Sequence, residues 1–327
     1  MTRKRDSLTR QARFAYNQGE LARICTLPEA SFGTAFGMQT TYVEQRSRWA
    51  PKDAQPDYYH FRDNGSRVLA VAHLDTVVTD DRRTPHFRMT QMGPVVTGGS
   101  LDDRLGAYVI LRMLPRLGIT CDWLLSVGEE SCESTAAYFT PGKDYDWIIE
   151  FDRMGTDVVM YQYENEASRR AVRASGATVG KGSFSDIAVL DHLGVKGFNW
   201  GVGYRGNYHS PQGYAYLNDT LAMVGRFQRF HAQNADVTMP HEPEWRIPGY
   251  HRFGSADQDE CEVCRTQAAV DPDSNSCTVC GCCQDCYLSL RNCPCYTERA
   301  LSSAPVMLLP AAGGSDEEDE EGSLSKD

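Results

Sequence analysis

The sequence predicts an α/β fold, with helices on both faces of a mostly parallel sheet. Two observations lead to this prediction. Short apolar runs recur and end at acids or at a histidine: Leu69–Ala72 is wholly apolar, as in a strand buried on both faces, and similar strands are expected at 122–127 and 146–151. Stretches with helical spacing of apolar residues lie between these runs, and strands that alternate with helices build a parallel sheet covered on both sides.

The other elements follow in chain order. An amphipathic helix is expected over 8–24, and the segments 58–61 and 68 onward are expected to form a hairpin around the turn Asn64-Gly65. A helix follows Asp103 and ends near Pro115 and Gly118. The remaining predictions are a short helix at 131–139, strands at 157–163 and 195–202, and helices at 183–193 and 217–232.

Length and composition restrict the function classes. The 327 residues suffice for one large domain with an appendage, and no apolar run has the length of a membrane span. The net charge is −11, but residues 302–327 hold seven acids and one lysine, so the remainder is mildly acidic and charge gives no case for nucleic-acid binding. The basic start is followed by no apolar stretch, which indicates that a secretory signal is absent. We therefore expect a cytoplasmic protein that is not bound to a membrane.

Five potential metal ligands fall at strand ends or in loops expected at one edge of the sheet. Open α/β sheets bind ligands at the carboxyl ends of their strands. Imidazole nitrogen and carboxylate oxygen are ligands that zinc readily takes, and two metal ions would require a shared carboxylate. Asp102 is the candidate for that bridge because it heads a helix and Asp103 can support it. The five candidates are His73, Asp102, Glu130, Asp152 and His209.

Three further carboxylates lie close to these candidates in the sequence. Glu129 and Glu130 are adjacent after a strand, so their side chains point in different directions, and one can bind metal while the other acts as a base. Asp75 lies two residues after His73, where it could orient the imidazole. An alternative is that Asp102 and Asp103 only complement the dipole of the helix that they begin.

Several blocks of this sequence resemble the co-catalytic zinc aminopeptidase/carboxypeptidase superfamily, in order, type and approximate spacing. The resemblance covers roughly residues 58–233 and is strongest to the leucyl aminopeptidase and tetrahedral aminopeptidase types, here without a lid or dimerisation domain. The matching blocks are Ala72-His73-Leu74-Asp75-Thr76, Leu101-Asp102-Asp103-Arg104-Leu105-Gly106, Gly128-Glu129-Glu130, Phe151-Asp152-Arg153-Met154-Gly155 and Gly206-Asn207-Tyr208-His209-Ser210.

The resemblance implies a role for each of these residues. His73 and Asp152 would bind one metal ion, Glu130 and His209 the other, and Asp102 would bridge them. Glu129 would be the general base and Asp75 the orienting acid. It also implies a single zinc-peptidase-like domain with two zinc ions, or cobalt or manganese instead, that cleaves a peptide or amide bond. An aminopeptidase or dipeptidase is the leading expectation, and an amino-acid deacylase of the same fold is the alternative.

Substrate contacts are expected on the loop that precedes His209. Arg205 offers a planar fork suited to a carboxylate, and Tyr204 and Tyr208 offer ring faces and hydroxyls. Arg205 would then engage a dipeptide or an acylated amino acid. The alternative is an arginine that is solvated on a surface turn.

Nine of the twelve cysteines crowd between Cys261 and Cys295. Thiols this dense in a chain without an export signal favour structural zinc, in one or two sites, over disulfides. An iron–sulfur cluster is the alternative, although the spacing before Cys293 is too long for ferredoxins. Such a module could also bind a protein partner, and a scaffold protein that uses it is the non-catalytic alternative. The expected zinc ligands are Cys261, Cys264, Cys277, Cys280, Cys283 and Cys286.

The domain prediction combines these parts. A di-zinc hydrolase domain is expected over 1–250 with its core at 58–233, a small Cys-rich zinc-binding module over 258–298, and a disordered acidic tail over 302–327.

Overall fold

The computed structural model describes residues 2–43, 57–78, 82–182, 184–206, 210, 212–242, 270–271 and 276–277. The chain divides into two compact units, Met1–Pro248 and Gly249–Asp327. In the described part of the first unit, eleven strands form one sheet whose main path runs in the order β1-β2-β6-β3-β7-β10-β11-β5-β4. The strands are β1 (Gln39–Tyr42), β2 (Tyr58–Arg62), β3 (Val68–His73), β4 (His86–Thr90), β5 (Gly93–Thr97), β6 (Asp122–Ser126), β7 (Trp147–Met154), β8 (Asp157–Val159), β9 (Thr178–Val179), β10 (Gly197–Arg205) and β11 (Tyr214–Tyr216).

The centre of this sheet is parallel. β3 pairs in parallel with β6 on one side and with β7 on the other, and β7 pairs in parallel with β10. Every residue of β3 is buried, as its apolar sequence predicted. Antiparallel strands flank the centre on both sides, namely β2 and β1 beyond β6, and β11, β5 and β4 beyond β10. The α/β class is therefore confirmed, with the parallel strands concentrated where the candidate ligands lie.

Seven helices accompany the sheet within the described residues. Helix α4 packs against β3 and β7, and α7 packs against β10 and α1. The apolar face of α7 meets aromatic side chains of the central strands, with Phe227 stacked edge-on against Phe151 at 5.1 Å between ring centroids. The helices are α1 (Thr2–Ala15), α2 (Gln18–Thr26), α3 (Phe32–Phe36), α4 (Leu101–Tyr108), α5 (Leu114–Arg116), α6 (Glu166–Ala174) and α7 (Leu217–Asn234).

Both faces of β7 are covered. Successive side chains of a strand point to opposite faces, so Phe151 and Glu150 face different layers. Phe151 meets α7, whereas Glu150 accepts a hydrogen bond from Ser185, just before the 3-10 turn Asp186–Val189. At β7, therefore, α7 covers one face of the sheet and the segment around Ser185 covers the other.

Two predicted elements are wrong in their pairing or continuity. The segments at 58–61 and 68 do not form a hairpin, because β6 lies between β2 and β3. Asp122 of β6 explains this, since its carboxylate accepts the backbone N–H groups of Asn64 at 2.8 Å and Ser66 at 3.0 Å, which pins the connection over the end of β6. The helix expected over 8–24 is two helices, and Asn17 caps the second through its side chain.

Other boundaries also differ from the predictions. The helix expected over 183–193 is a pair of 3-10 turns, Asp186–Val189 and Asp191–Leu193. The helix expected over 131–139 is the 3-10 turn Thr135–Tyr138. Helix α6, which begins with a capping box between Asn165 and Ser168, and the hairpin of β4 and β5 were not predicted.

The second unit is described only at a two-stranded antiparallel pair, β12 (Val270–Asp271) and β13 (Ser276–Cys277). Among the expected zinc ligands, Cys261, Cys264, Cys280, Cys283 and Cys286 lie outside the described residues, and of Cys277 only the backbone is described. The acidic tail also lies outside them. No helix in the described part of the chain combines the length and apolar composition that a membrane crossing requires.

Candidate metal centre

Three elements bring His73, Asp102 and Asp152 together at the carboxyl edge of the central strands. His73 is the last residue of β3, Asp102 lies at the start of α4, and Asp152 lies near the end of β7. His73 Nε2 is 3.3 Å from Asp102 Oδ1 and 3.9 Å from Asp152 Oδ1. One possible ligand atom of each residue lies within 4.8 Å of the other two. An imidazole and two carboxylates this close are a ligand set suited to zinc.

The opposite side of the His73 ring is also held. Its Nδ1 is 3.0 Å from the backbone oxygen of Asp75, and 3.6 Å from the Asp75 carboxylate. A proton on Nδ1 can be donated to that carbonyl, which leaves Nε2 as the free lone pair that faces Asp102 and Asp152. Burial opposes the charged ring, but hydrogen bonds to Asp102 and Asp75 and the nearby acids raise the pKa of His73 well above its usual value.

The start of α4 sets the position of Asp102. Asp102 and Asp103 have non-helical backbone angles, and the peptide bond between them is cis. Asp103 Oδ1 accepts a hydrogen bond from the backbone N–H of Gly106 at 3.1 Å. Gly106 has no room for a side chain, because a Cβ would lie 2.4 Å from the backbone oxygen of Phe151. The glycine therefore lets α4 approach β7 closely, which brings Asp102 within reach of Asp152.

The turn after β6 carries Glu129 and Glu130. Gly128 has a φ of +87°, and a Cβ there would lie 2.7 Å from the backbone oxygen of Glu133, so the turn requires glycine. Glu129 Oε2 is 3.9 Å from His73 Nε2. The backbone N–H of Glu130 donates to Asp75 Oδ2 at 3.1 Å. Asp75 thus connects the loop after β3 with the turn after β6.

Burial and mutual repulsion characterise the carboxylates of this region. Burial, together with Asp186, Asp102 and Asp75, raises the pKa of Glu129 to about 8. Burial and the charges of Asp102 and Asp103 raise the pKa of Asp152 well above its usual value. Asp152 Oδ1 is buried and makes no hydrogen bond with the described residues. Such a cluster holds more acids than the single imidazole of His73 can neutralise, and a divalent ion would supply the missing positive charge. The donor set and the unsatisfied oxygen both fit a metal ion.

A cavity of about 230 Å³ adjoins this cluster. Three acids, Glu129, Glu130 and Asp152, line it together with Arg153. Asn199, Tyr161 and Phe184 also line it and are hydrogen-bonded in series. Asn199 accepts from the Asp152 backbone at 3.0 Å and donates to the Tyr161 hydroxyl at 3.2 Å, which in turn donates to the Phe184 carbonyl at 3.0 Å. The wall of the cavity is therefore fixed to the strand that carries Asp152.

Sequence reasoning missed a buried acidic pair behind the site. Glu150 on β7 and Asp186 are both fully buried. Asp186 accepts hydrogen bonds from Ser126 and Ser134, and Glu150 accepts one from Ser185. The sequence suggested only a helix over 183–193, and no spacing signal linked Asp186 to β7.

Arg104 was also missed. Its fully buried guanidinium donates to the carbonyls of Ile24 at 3.3 Å, Leu27 at 2.9 Å and Leu74 at 2.7 Å. Leu74 lies between His73 and Asp75, so Arg104 braces the loop that carries the histidine. Its place in the block Asp102-Asp103-Arg104 was the available signal.

Of the residues expected to contact substrate, Tyr204 and Arg205 are described, and neither lines the cavity. Tyr204 is fully buried and its hydroxyl donates to the Leu101 carbonyl at 2.6 Å, so it supports the start of α4 and does not line the cavity. Arg205 is exposed, and its Nη2 is 2.8 Å from Asp219 Oδ2. Tyr208 and the expected ligand His209 lie outside the described residues.

Comparisons with known proteins give structural similarities alone. No model of a protein family matches this sequence, and no curated protein matches it. Solved structures do match. Aminopeptidase PepT from Bacillus cereus is 10% identical, with a TM-score of 0.45 over 65% of this chain and 96% of that one. A tripeptidase from Staphylococcus aureus is 10% identical, with a TM-score of 0.45 over 64% and 95%. A putative zinc-dependent exopeptidase from Bacteroides vulgatus is 13% identical, with a TM-score of 0.37 over 70% and 96%.

Proposed function

We propose that this protein is a metal-dependent hydrolase that cleaves a peptide bond, as an aminopeptidase or dipeptidase. The observation that carries the proposal is the buried group of His73, Asp102 and Asp152, whose ligand atoms lie within 4.8 Å of one another, with Glu129 Oε2 3.9 Å from His73 Nε2. A ligand set beside an additional free carboxylate is the arrangement that metal-assisted hydrolysis requires.

The assignment of His73, Asp102 and Asp152 is supported by the closeness of their ligand atoms, and that of Glu130 and His209 by the sequence blocks. His73 and Asp152 would hold one zinc ion, and Asp102 would be shared with a second ion held by Glu130 and His209. Zinc supplies a Lewis acid that polarises the scissile carbonyl and lowers the pKa of a water molecule at the site.

Glu129 is the proposed general base. Its carboxylate would accept a proton from the attacking water and return it to the leaving amine. Burial and neighbouring acids raise its pKa to about 8 in the absence of metal, and bound cations would lower it again, which favours the ionised base. Asp75 orients the imidazole of His73. By accepting a hydrogen bond from the Glu130 N–H, it also connects the loop after β3 with the turn after β6.

The experiment that tests this function replaces Glu129 by glutamine. We expect Glu129→Gln to retain the zinc content of the wild type and to lower kcat by about 10²–10⁴-fold, because only the proton transfer is removed. Zinc is measured by elemental analysis and turnover on a panel of di- and tripeptides. Glu133→Gln, in the same turn but not in the cavity wall, is the matched control.

The same panel separates the alternatives. Turnover of N-acyl amino acids with none of peptides would favour the deacylase. Zinc in the first unit together with an unchanged rate in Glu129→Gln would contradict the assignment of the base. If the first unit contains no zinc and no substrate is hydrolysed, the non-catalytic scaffold role remains.

A further inference from the structure

Arg153 brings a positive charge to a cavity that three acids also line. Among the described residues that line the 230 Å³ cavity, it is the one cation beside Glu129, Glu130 and Asp152. Asp152 belongs to the candidate ligand group, and Glu129 Oε2 lies 3.9 Å from His73 Nε2 of that group.

A bulge in β7 explains how two neighbouring residues reach the same cavity. Between the pairs Asn199↔Glu150 and Gly201↔Arg153, β10 advances two residues while β7 advances three. Adjacent side chains of a regular strand point to opposite faces, and an extra residue re-aims the side chains that follow it. Asp152 and Arg153 therefore both line the cavity.

The guanidinium of Arg153 has capacity for a further acid. Its ion pair is with Asp157 Oδ1, 3.4 Å from Nε, and Nε itself makes no hydrogen bond in the described part of the chain. A contact through Nε leaves the two terminal nitrogens, which match a carboxylate in a two-pronged hydrogen bond. Arg205, by contrast, already places Nη2 2.8 Å from Asp219 at the surface.

The cavity also limits the size of what it can hold. Its volume is below the roughly 300–1,000 Å³ of small-molecule pockets, which suits one amino-acid residue of a substrate. Tyr161 and Phe184 supply apolar surface, and Tyr161 is held by its hydrogen bonds to Asn199 and Phe184. A residue seated there would lie against a wall that carries both Glu129 and Arg153.

We propose that Arg153 binds a carboxylate of the substrate residue that occupies this cavity, so that the preferred substrates are peptides with an acidic residue or a free carboxyl terminus at that position. This inference rests on the proposed peptidase function. An acidic side chain and a free carboxyl terminus both present a carboxylate, and matched peptides distinguish them.

The test compares zinc-loaded wild type, Arg153→Met, Arg153→Lys and the surface control Arg170→Met, at an exposed arginine of α6 that pairs with Glu166. Two substrate pairs differ only in charge: Glu-Ala-amide against Gln-Ala-amide for an acidic side chain, and Ala-Ala against Ala-Ala-amide for a carboxyl terminus. In the wild type we expect about 10–100-fold higher kcat/KM for the charged member of one pair, mainly through KM, because a charge-assisted hydrogen bond to a partly buried arginine is lost in the other member. Arg153→Met should abolish this preference, Arg153→Lys should keep part of it, and Arg170→Met should keep all of it.

A binding measurement separates this inference from the proposed function. Calorimetry with the same four peptides on zinc-loaded Glu129→Gln, with and without Arg153→Met, needs no turnover. A charge preference that disappears with Arg153 supports the inference even if no peptide is hydrolysed, an outcome that would overturn the peptidase function instead. Equal or absent binding of both members of both pairs, or a preference that survives in Arg153→Met, overturns the inference.

Discussion

The imidazole of His73 contacts an oxygen on each side, and this determines which of its nitrogens can bind metal. Nδ1 lies 3.0 Å from the Asp75 carbonyl and Nε2 lies 3.3 Å from Asp102 Oδ1. Partners of the non-ligating nitrogen fix the tautomer and raise the basicity of a ligand histidine. The carboxylate of Asp75 adds a second link, to the backbone of Glu130. One acid therefore supports a proposed ligand on each of two loops.

This predicts the effect of Asp75→Asn. The amide should keep the fold but weaken zinc binding by about 10–100-fold, because the negative charge beside His73 and the acceptor for the Glu130 N–H are both compromised. Zinc affinity is measured by titration against a chelator of known affinity. Asp63→Asn, at an exposed pair with Lys143, is the control and should bind zinc as the wild type does. Unchanged affinity in Asp75→Asn would contradict this positioning role.

At the scale of elements, Arg104 joins the N-terminal helices to the ligand-bearing loop. Three carbonyl oxygens, of Ile24, Leu27 and Leu74, depend on its guanidinium, which also lies 4.7 Å from the ring centroid of Phe32. The end of α2 and the loop after β3 are thereby held by one side chain of α4. Helix α2, distant in sequence from the site, thus contributes to its shape.

Arg104→Met should therefore destabilise the protein strongly. We expect a loss of about 3–5 kcal/mol in the free energy of unfolding, because three buried carbonyls lose their donor. Denaturant unfolding measures it. Arg112→Met is the matched control, since Arg112 lies over the Phe36 ring at 4.7 Å, and it should cost about 1 kcal/mol. Similar losses in both variants would argue against the bracing role.

The start of β7 offers a prediction for pH. Arg67 bonds to Asp146 through two nitrogens, at 2.8 and 2.7 Å, and Thr238 also donates to this carboxylate. These bonds lower the pKa of Asp146, the largest effect being that of Arg67, against an opposing effect of burial. A folded-state pKa below the unfolded value stabilises the protein above the unfolded pKa, about 3.9, and this stabilisation is lost as the pH falls through the folded pKa.

The stability gap between wild type and Asp146→Asn should accordingly be full above about pH 5 and should shrink as the pH falls below about 4. Urea unfolding at a series of pH values gives the gap directly. A gap that stays constant to pH 2.5 would refute the contribution of this carboxylate.

At the scale of the whole molecule, the chain divides after Pro248. Every described residue of the candidate metal centre and of the cavity lies in the first unit, and the described core of that unit ends with the segment at 239–242, where Met239 bonds to the backbone of Asp146. The Cys-rich segment and the acidic tail fall in the second unit.

A protein ending at residue 248 should thus fold and retain its hydrolytic activity within about a factor of three of the full chain, since every described residue of the site lies in the first unit. Circular dichroism, catalytic-site zinc and kcat/KM are the measurements. A folded, zinc-loaded fragment without activity would show that the second unit completes the substrate site.

The sequence by itself determined the α/β class and the neighbourhood of His73, Asp102 and Asp152. Both depend on local patterns: buried parallel strands read as apolar runs, and their carboxyl ends meet at one edge of a sheet. Residues placed directly after such runs were therefore expected together before any contact was known. The sequence also shows the two glycines that the structure requires, Gly128 in the turn after β6 and Gly106 where α4 approaches β7.

Only the tertiary structure decided which strand lies beside which and which side chains line the cavity. β6 lies between β2 and β3, although the segment that joins them resembles a hairpin turn. The Asp122 carboxylate of β6, 56 to 58 residues away, accepts hydrogen bonds from the backbone N–H groups of Asn64 and Ser66 in that segment. Arg153 reaches the cavity because β7 carries one residue more than the facing stretch of β10. Both outcomes depend on hydrogen bonds between segments far apart in the chain, and such pairings have no local signal in the sequence.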